Sequence, residues 1–300
     1  METAHAISTS VQVVRNRVAE YSQLIKVRLS SLVVFSAAMA YLWSMPGSIN
    51  VTIILLVCVG GFLITGAANT LNQVIEKDSD KLMKRTFERP LADERLTMKE
   101  ALIFAAVIGV TGLALLYFIS PVCAILGSLA ITIYAAVYTP LKKISRVTVI
   151  PGAIAGSIPV VIGSIAAAGK LTPEALILFS VQFVWQFPHT WSIAWLLDEE
   201  YKKAGIKMMP DKGGRNAISS IMILASTLLT IPLGLIFYYV GWINIPACIC
   251  LTVAGLGFSF FAFRLYRVRT VKAALGVMFG SFAYLPFVQV ALVIIKIIAK

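Results

Sequence analysis

The stretch VTIILLVCVGGFLITGAANTLNQVIEKDSDKLMKRTFERPL, from Val51 to Leu91, begins as one apolar run and breaks abruptly into charge. An apolar run of roughly 20 residues is what a helix needs to cross about 30 Å of hydrocarbon, so residues near 51–75 read as a transmembrane span. If the helix continues past the break, Asn72, Glu76 and Asp80 fall at i, i+4 and i+8, within one broad face. Seven of the 14 carboxylates of the chain lie between Glu76 and Glu100, interleaved with seven Lys and Arg. A solvated loop between two spans is the plain explanation of such charge. The spacing supports a sharper one. Mg²⁺ takes hard oxygen ligands and is commonly held by one or two carboxylates together with substrate phosphates. Lys84, Arg85 and Arg89 follow directly, and basic side chains of this kind grip the phosphate oxygens a metal leaves free. The local chemistry points to a diphosphate.

Outward from this stretch the chain stays apolar. A mean hydropathy of +0.87 over 300 residues, with 13% charged, marks a polytopic helical membrane protein. Nine runs are long enough to span, near 30–46, 51–75, 101–119, 121–139, 147–168, 173–197, 217–240, 242–263 and 273–296. Period-two alternation is missing, which excludes a membrane β-barrel. The expectation is an all-α protein with nine transmembrane helices, residues 1–29 forming a cytoplasmic N-terminal segment and 30–300 a single domain.

The net charge of +12 raises nucleic acid as a partner, but its distribution argues otherwise. Alternate connecting segments, counted from the N-terminus, hold 23 of the 26 Lys and Arg. By the positive-inside rule the N-terminus is then cytoplasmic and the C-terminus outside, so basicity here encodes orientation in a bilayer. Cys58, Cys123, Cys248 and Cys250 all lie within predicted spans and read as small packing residues. No cleavable signal stands at the N-terminus, and Glu2 and Glu20 argue against a mitochondrial presequence, which favours a bacterial inner membrane.

Two further segments carry chemistry. The fourth run ends in Tyr138-Thr-Pro-Leu-Lys142-Lys143, with Pro140 breaking the helix near the surface and two lysines on the side of the acidic loop. The sixth run contains Gln182, Trp185, Gln186, Pro188 and His189. An ionisable group inside a hydrocarbon segment is a functional hypothesis by default, although a neutral histidine bonded to a neighbouring helix explains it equally. After this run comes a second charged loop with Asp198, Glu199, Glu200, Tyr201 and Asp211. The two loops contain 11 of the 14 carboxylates and lie on the same predicted side, so they are expected to face one another across a pocket mouth.

These residues together resemble a known family. The run AANTLNQVIEKDSDKLMKRTFERPL from Ala67 to Leu91 is similar to the first motif of the protohaem IX farnesyltransferases (haem O synthases), within the UbiA superfamily of intramembrane prenyltransferases. Tyr21 to Arg28, YTPLKKIS from Tyr138, WQFPH from Trp185 and EEYKKAGIKMMP from Glu199 extend the resemblance over most of the chain. It implies a UbiA-like helical bundle with a central pocket opening to the cytoplasmic side. The superfamily's N-x3-D-x3-D maps onto Asn72, Glu76 and Asp80, with Asp78 between them, as catalytic and Mg²⁺-binding residues. Glu76 replaces the commoner aspartate. The second D-x3-D of the wider superfamily is missing, and Asp198, Glu199 and Glu200 stand there instead.

The implied reaction transfers the farnesyl group of farnesyl diphosphate to a vinyl group of haem B, water completing the product. Lys84, Arg85, Arg89, Lys142 and Lys143 would take the diphosphate. Tyr138, Trp185, His189, Glu199, Glu200 and Tyr201 are the remaining substrate-binding candidates, with His189 toward the haem. A haem A synthase or a terminal oxidase is the protein partner such an activity implies. The nearest rival is a quinone-pathway aromatic prenyltransferase using the same diphosphate site. A transporter is the rival from another class, because nine spans and charged loops do not by themselves make an enzyme.

Overall fold

The computed structural model describes residues 17–299, all of whose regular structure is helical. Residues 1–16, over half of the expected N-terminal segment, lie outside the described residues. A short helix α1 (17–25) meets α2 (Val27–Ser44) at Lys26, whose φ of 50° breaks the helical ladder. α3 (Val51–Asp80) runs five residues beyond the expected span, which carries the acidic face of the helix out of the apolar run. α4 (Met98–Ile119) starts at a Thr97 and Glu100 capping box, so one carboxylate of the acidic loop serves a helix end.

The fourth run forms α5 (Pro121–Thr132), a π-helical turn over Ile133–Tyr138 and α6 (Thr139–Ile144). A single turn at Arg146–Thr148 leads into α7 (Val149–Ala168). Then follow α8 (Pro173–Leu196), the short α9 (Asp198–Lys203), α10 (Ala217–Leu228), α11 (Thr230–Tyr239), α12 (Ile245–Val268) and α13 (Val271–Ile298).

Among the described residues eight segments, with α10 and α11 together as one, are long and apolar enough to cross a membrane. The ninth expected, the sixth run, forms α8 at the anticipated place but is not among them. Gln182, Gln186 and His189 dilute its apolarity, and all three face an internal cavity. The outer surface carries large apolar side chains such as Phe118, Ile125 and Phe260, each at least 65% exposed, as expected where lipid replaces water.

Small residues set how closely the helices approach. A Cβ on Gly163 of α7 would stand 2.0 Å from the carbonyl oxygen of Ala37 on α2, so the two backbones touch there. Ser164, the residue after Gly163, hydrogen-bonds at 2.5 Å to Ser44, two turns beyond Ala37 on α2. α3 packs along α4, α7 on α8, and α12 on α13. Among the described residues the apolar interior forms three clusters. One is built around Trp191, Trp195, Leu251 and Leu285, a second around Tyr41, Val57, Leu116 and Ile162, and a small third around Leu24, Leu91, Leu96 and Ala101.

Candidate active site

A cavity of about 660 Å³ opens among α2, α3, α5, α7, α8 and α13. One end is ionic and the other apolar and aromatic. At the ionic end, the last turns of α3 turn Asn72, Glu76 and Asp80 inward, all at most 7% exposed and all lining the cavity. Buried carboxylates need partners, and each has a cation. Lys142 Nζ lies 3.0 Å from Glu76, and Arg89 lies 2.7 Å from Asp80. Asn72 accepts from Lys26 Nζ at 3.2 Å and donates to the Thr139 hydroxyl at 3.2 Å.

The local sequence explains these positions. Thr139 N–H reaches back five residues to Tyr134, and Pro140 has no N–H to continue the ladder, so the chain forms a π turn just before α6. That turn presents Tyr134 and Tyr138 to the cavity, their rings 5.2 Å apart, and Lys142 sits 4.4 Å above the Tyr138 ring. At Lys26, the break between α1 and α2 frees backbone carbonyls that α3 binds. Gln73 donates to Leu24 at 2.9 Å and Asn69 to Ile25 at 3.3 Å. Asn69 and Asn72 line the cavity and also bond neighbouring elements.

Three cations, Lys26, Arg89 and Lys142, thus converge on two carboxylates. Burial first, then the Arg89 and Lys142 cations, push the Lys26 amine down to about 7, against the pull of Glu76 and Asp80. Such a site is short of negative charge. Asp80 Oδ1 is buried and has no hydrogen-bond partner among the described residues.

From α8 come Trp185 and His189, whose rings stack at 4.4 Å and 14°. Trp185 donates its indole N–H to the Ser281 carbonyl at 2.8 Å, and His189 Nδ1 lies 2.8 Å from the Ser281 hydroxyl. Phe282 closes on the imidazole edge-on at 5.2 Å. Away from the ionic cluster the lining is mostly apolar, from Phe35, Val57, Ile131 and Pro159 among others. The cavity is shaped for a molecule with a polyanionic head and a long hydrocarbon body.

Sequence comparison matches residues 33–283 to the UbiA prenyltransferase family. The chain belongs to this family. It is 45% identical over 278 residues to a protoheme IX farnesyltransferase of Cytophaga hutchinsonii, covering 92% of this chain and 97% of that one. It is 37% identical to a protoheme IX farnesyltransferase of Christiangramia forsetii, over 94% of this chain and 95% of that one. In three dimensions it resembles a UbiA homolog from Archaeoglobus fulgidus bound to DMAPP and Mg²⁺. The TM-score is 0.72 at 15% identity, over 91% of this chain and 99% of that one.

Ten of the residues singled out from the sequence of this UbiA-family prenyltransferase line its cavity: Asn72, Glu76, Asp80, Arg85 and Arg89 from the first motif, with Tyr138, Lys142, Trp185, His189 and Tyr201. Others do not. Asp78 is exposed on the opposite side of α3, and Lys84, Lys143 and Glu199 are exposed outside the cavity. Glu200 does not line it either, but accepts from the Arg85 backbone N–H at 3.4 Å. The two charged loops therefore meet as expected, and the second contributes Tyr201 rather than its acids. Asp198 is buried against Lys202 at 2.8 Å.

Lys26 also lines the cavity, although a lone lysine just before a span carries no sign of such a place in one dimension. The resemblance of Tyr21 to Arg28 was the signal that pointed to it.

Among the described residues no three His, Cys, Asp or Glu side chains cluster as a ready metal site. Two carboxylates and an amide on one helix face, with the partnerless Asp80 Oδ1 among them, are nevertheless hard oxygen donors of the kind Mg²⁺ takes when phosphate oxygens complete its shell.

Proposed function

We propose that this chain transfers the farnesyl group of farnesyl diphosphate to a vinyl group of haem B, water adding to give the hydroxyethylfarnesyl group of haem O. The observation that carries this is a single cavity in which Lys26, Arg89 and Lys142 converge on Glu76 and Asp80 while Trp185 and His189 stand on its wall above a largely apolar interior. Relatives named protoheme IX farnesyltransferase at up to 45% identity over 92% of the chain support the choice of acceptor.

The chain's own residues have separable tasks. Lys26, Arg89 and Lys142 hold the diphosphate and stabilise the charge that develops as it leaves. Asn72, Glu76 and Asp80 would hold Mg²⁺, which when bound supplies Lewis-acid activation of the diphosphate. Arg85 and Tyr201 complete the rim. The apolar middle keeps water from the allylic cation, and the faces of Tyr138 and Trp185 lower its energy. Trp185 and His189 meet the porphyrin.

In this reading α8 crosses the bilayer as the ninth span, its polar residues turned inward. The N-terminus and the ionic mouth are cytoplasmic, the C-terminus is outside, and residues 30–300 act as one domain in a bacterial inner membrane.

Purified protein in detergent, given haem B, farnesyl diphosphate and Mg²⁺, is expected to form haem O, identified by mass spectrometry of the extracted pigment. Unchanged haem from folded protein overturns the proposal. A competing phenolic acceptor distinguishes the quinone-pathway reaction, which would consume that acceptor in preference to haem.

A further inference from the structure

Farnesyl transfer to a vinyl group makes opposite demands on its cavity. Water must be excluded while the allylic cation exists, and then one water must add. Away from its ionic cluster the cavity is mostly apolar, and α8 brings Gln182, Gln186 and His189 to its wall.

The state of His189 follows from its partner. The Ser281 hydroxyl donates its proton to the Met278 carbonyl at 2.6 Å. A hydroxyl has one proton to give, so the contact at 2.8 Å is Nδ1–H of His189 donating to Ser281 Oγ. In the neutral form of the ring Nε2 is then the bare acceptor. The stacked Trp185, itself tied to the Ser281 carbonyl, and the edge-on Phe282 hold the imidazole in place.

One turn earlier stands Gln186, whose amide oxygen has no hydrogen-bond partner among the described residues. Its amide occupies room that α7 leaves free. A Cβ on Gly156 would stand 2.7 Å from Gln186 Nε2, and the carbonyl of the same Gly156 accepts from Gln182 at 2.6 Å. The terminal torsion of a glutamine is soft, so this oxygen turns readily toward the cavity.

We propose that Gln186 and His189 hold the water molecule that ends the reaction. The inference rests on the farnesyl-transfer reading above. Water donates one hydrogen to the Gln186 amide oxygen and the other to His189 Nε2. With both protons engaged, its lone pairs face the cavity, where the acceptor vinyl group lies.

The bonds balance as follows. The C–O bond of farnesyl diphosphate breaks and its electron pair leaves with the diphosphate. C1 of the farnesyl group bonds to the terminal vinyl carbon, which leaves the cation on the inner vinyl carbon. The water oxygen bonds to that carbon, and one O–H bond breaks to place its proton on His189 Nε2. The imidazolium returns the proton to bulk water as product leaves. Where no water is held, the same cation instead loses a proton to form an alkene, a product lighter by one water. Ser281 acts in this scheme through the histidine and is a positioning residue.

The test is the ratio of dehydrated to hydrated product, read by mass spectrometry after turnover of purified protein with haem B, farnesyl diphosphate and Mg²⁺. Gln186→Leu is expected to raise that ratio by about tenfold or more, the effect of one lost hydrogen bond of about 1.4 kcal/mol. Ser281→Ala, which frees the imidazole without touching the backbone carbonyl that holds Trp185, is expected to shift it in the same direction. Hydrated product alone from both variants overturns the proposal. So does loss of all farnesylation from both when they are folded and still take up haem, because the terminating step follows carbon–carbon bond formation. Wild-type protein that forms no farnesylated haem at all removes the parent reading, and this inference with it.

Discussion

Asp80→Asn is the most informative single change to the ionic end. Asp80 is 1% exposed, and its two oxygens have different surroundings. Oδ2 accepts from Arg89 at 2.7 Å, while Oδ1 has no hydrogen-bond partner among the described residues. An asparagine of the same shape must keep its oxygen toward Arg89, since a guanidinium only donates. Its NH₂ then occupies the place of Oδ1, and an acceptor suited to a cation becomes a donor that repels one. The Arg89 contact survives as a hydrogen bond with one charged partner, so the fold loses only about 1–2 kcal/mol. Activity should suffer far more, because the lost group acts where charge develops. Removing one preorganised electrostatic group of this kind typically costs about 10²–10³ in turnover. The assay is haem O formation at a series of Mg²⁺ concentrations, with thermal unfolding in detergent alongside. The expected result is at least about a 100-fold loss of turnover, with a higher Mg²⁺ requirement and a small shift in unfolding. Wild-type turnover with wild-type metal dependence would remove Asp80 from the reacting end and refute the reasoning.

Three further changes address other parts of the structure. Lys142→Met strands the buried carboxylate of Glu76, whose side chain is 9% exposed, and should destabilise the protein by about 3 kcal/mol; adding Glu76→Gln should recover most of that loss in thermal unfolding without restoring turnover. Farnesyl diphosphate binding should take up a proton above pH 7, since Lys26 is held down at about 7 in the free site and an arriving polyanion returns it toward its ordinary 10.5. Affinity should therefore fall as pH rises between these values, and calorimetry in buffers of different ionisation enthalpy detects the proton; Lys26→Met should abolish the uptake. Gly163→Ala places a methyl on the Ala37 carbonyl and should separate α2 from α7, lowering the unfolding temperature, whereas an alanine at the open Gly257 should leave it unchanged.

Hydropathy announced the helices because each had to cover the same hydrocarbon thickness, and the observed spans match the apolar runs to within a few residues. The discrepancies have definite causes. α3 outruns its apolar segment because a helix needs no apolar side chains where its polar face turns inward, and Asn72, Glu76 and Asp80 do so. α8 fails the apolarity of a span for the same reason. The inner helix of a cavity looks like a poor membrane helix in one dimension because part of its surface never meets lipid.

The site was legible where residues on a single helix share a face, and illegible where two helices must be aligned. The i, i+4, i+8 spacing gathered Asn72, Glu76 and Asp80 correctly, and its 100° step per residue also explains why Asp78, two positions on, points away from them. Nothing in the spacing foretold that Lys142 rather than Lys143 would reach Glu76, since this depends on the extra rotation added by the π turn before Pro140. The second acidic loop misled for a related reason. Its acids are spent locally, Asp198 on Lys202 and Glu200 on the Arg85 backbone, so that loop fastens the rim rather than charging it. The charge of the mouth is consequently lopsided, with three cations against two buried carboxylates. Without substrate the cations pay for their crowding in the depressed basicity of Lys26, and a diphosphate relieves that repulsion as it binds. The ionic end is therefore suited to an anion that completes it, and under the proposed function the residues that would select a diphosphate at entry would also stabilise it as a leaving group.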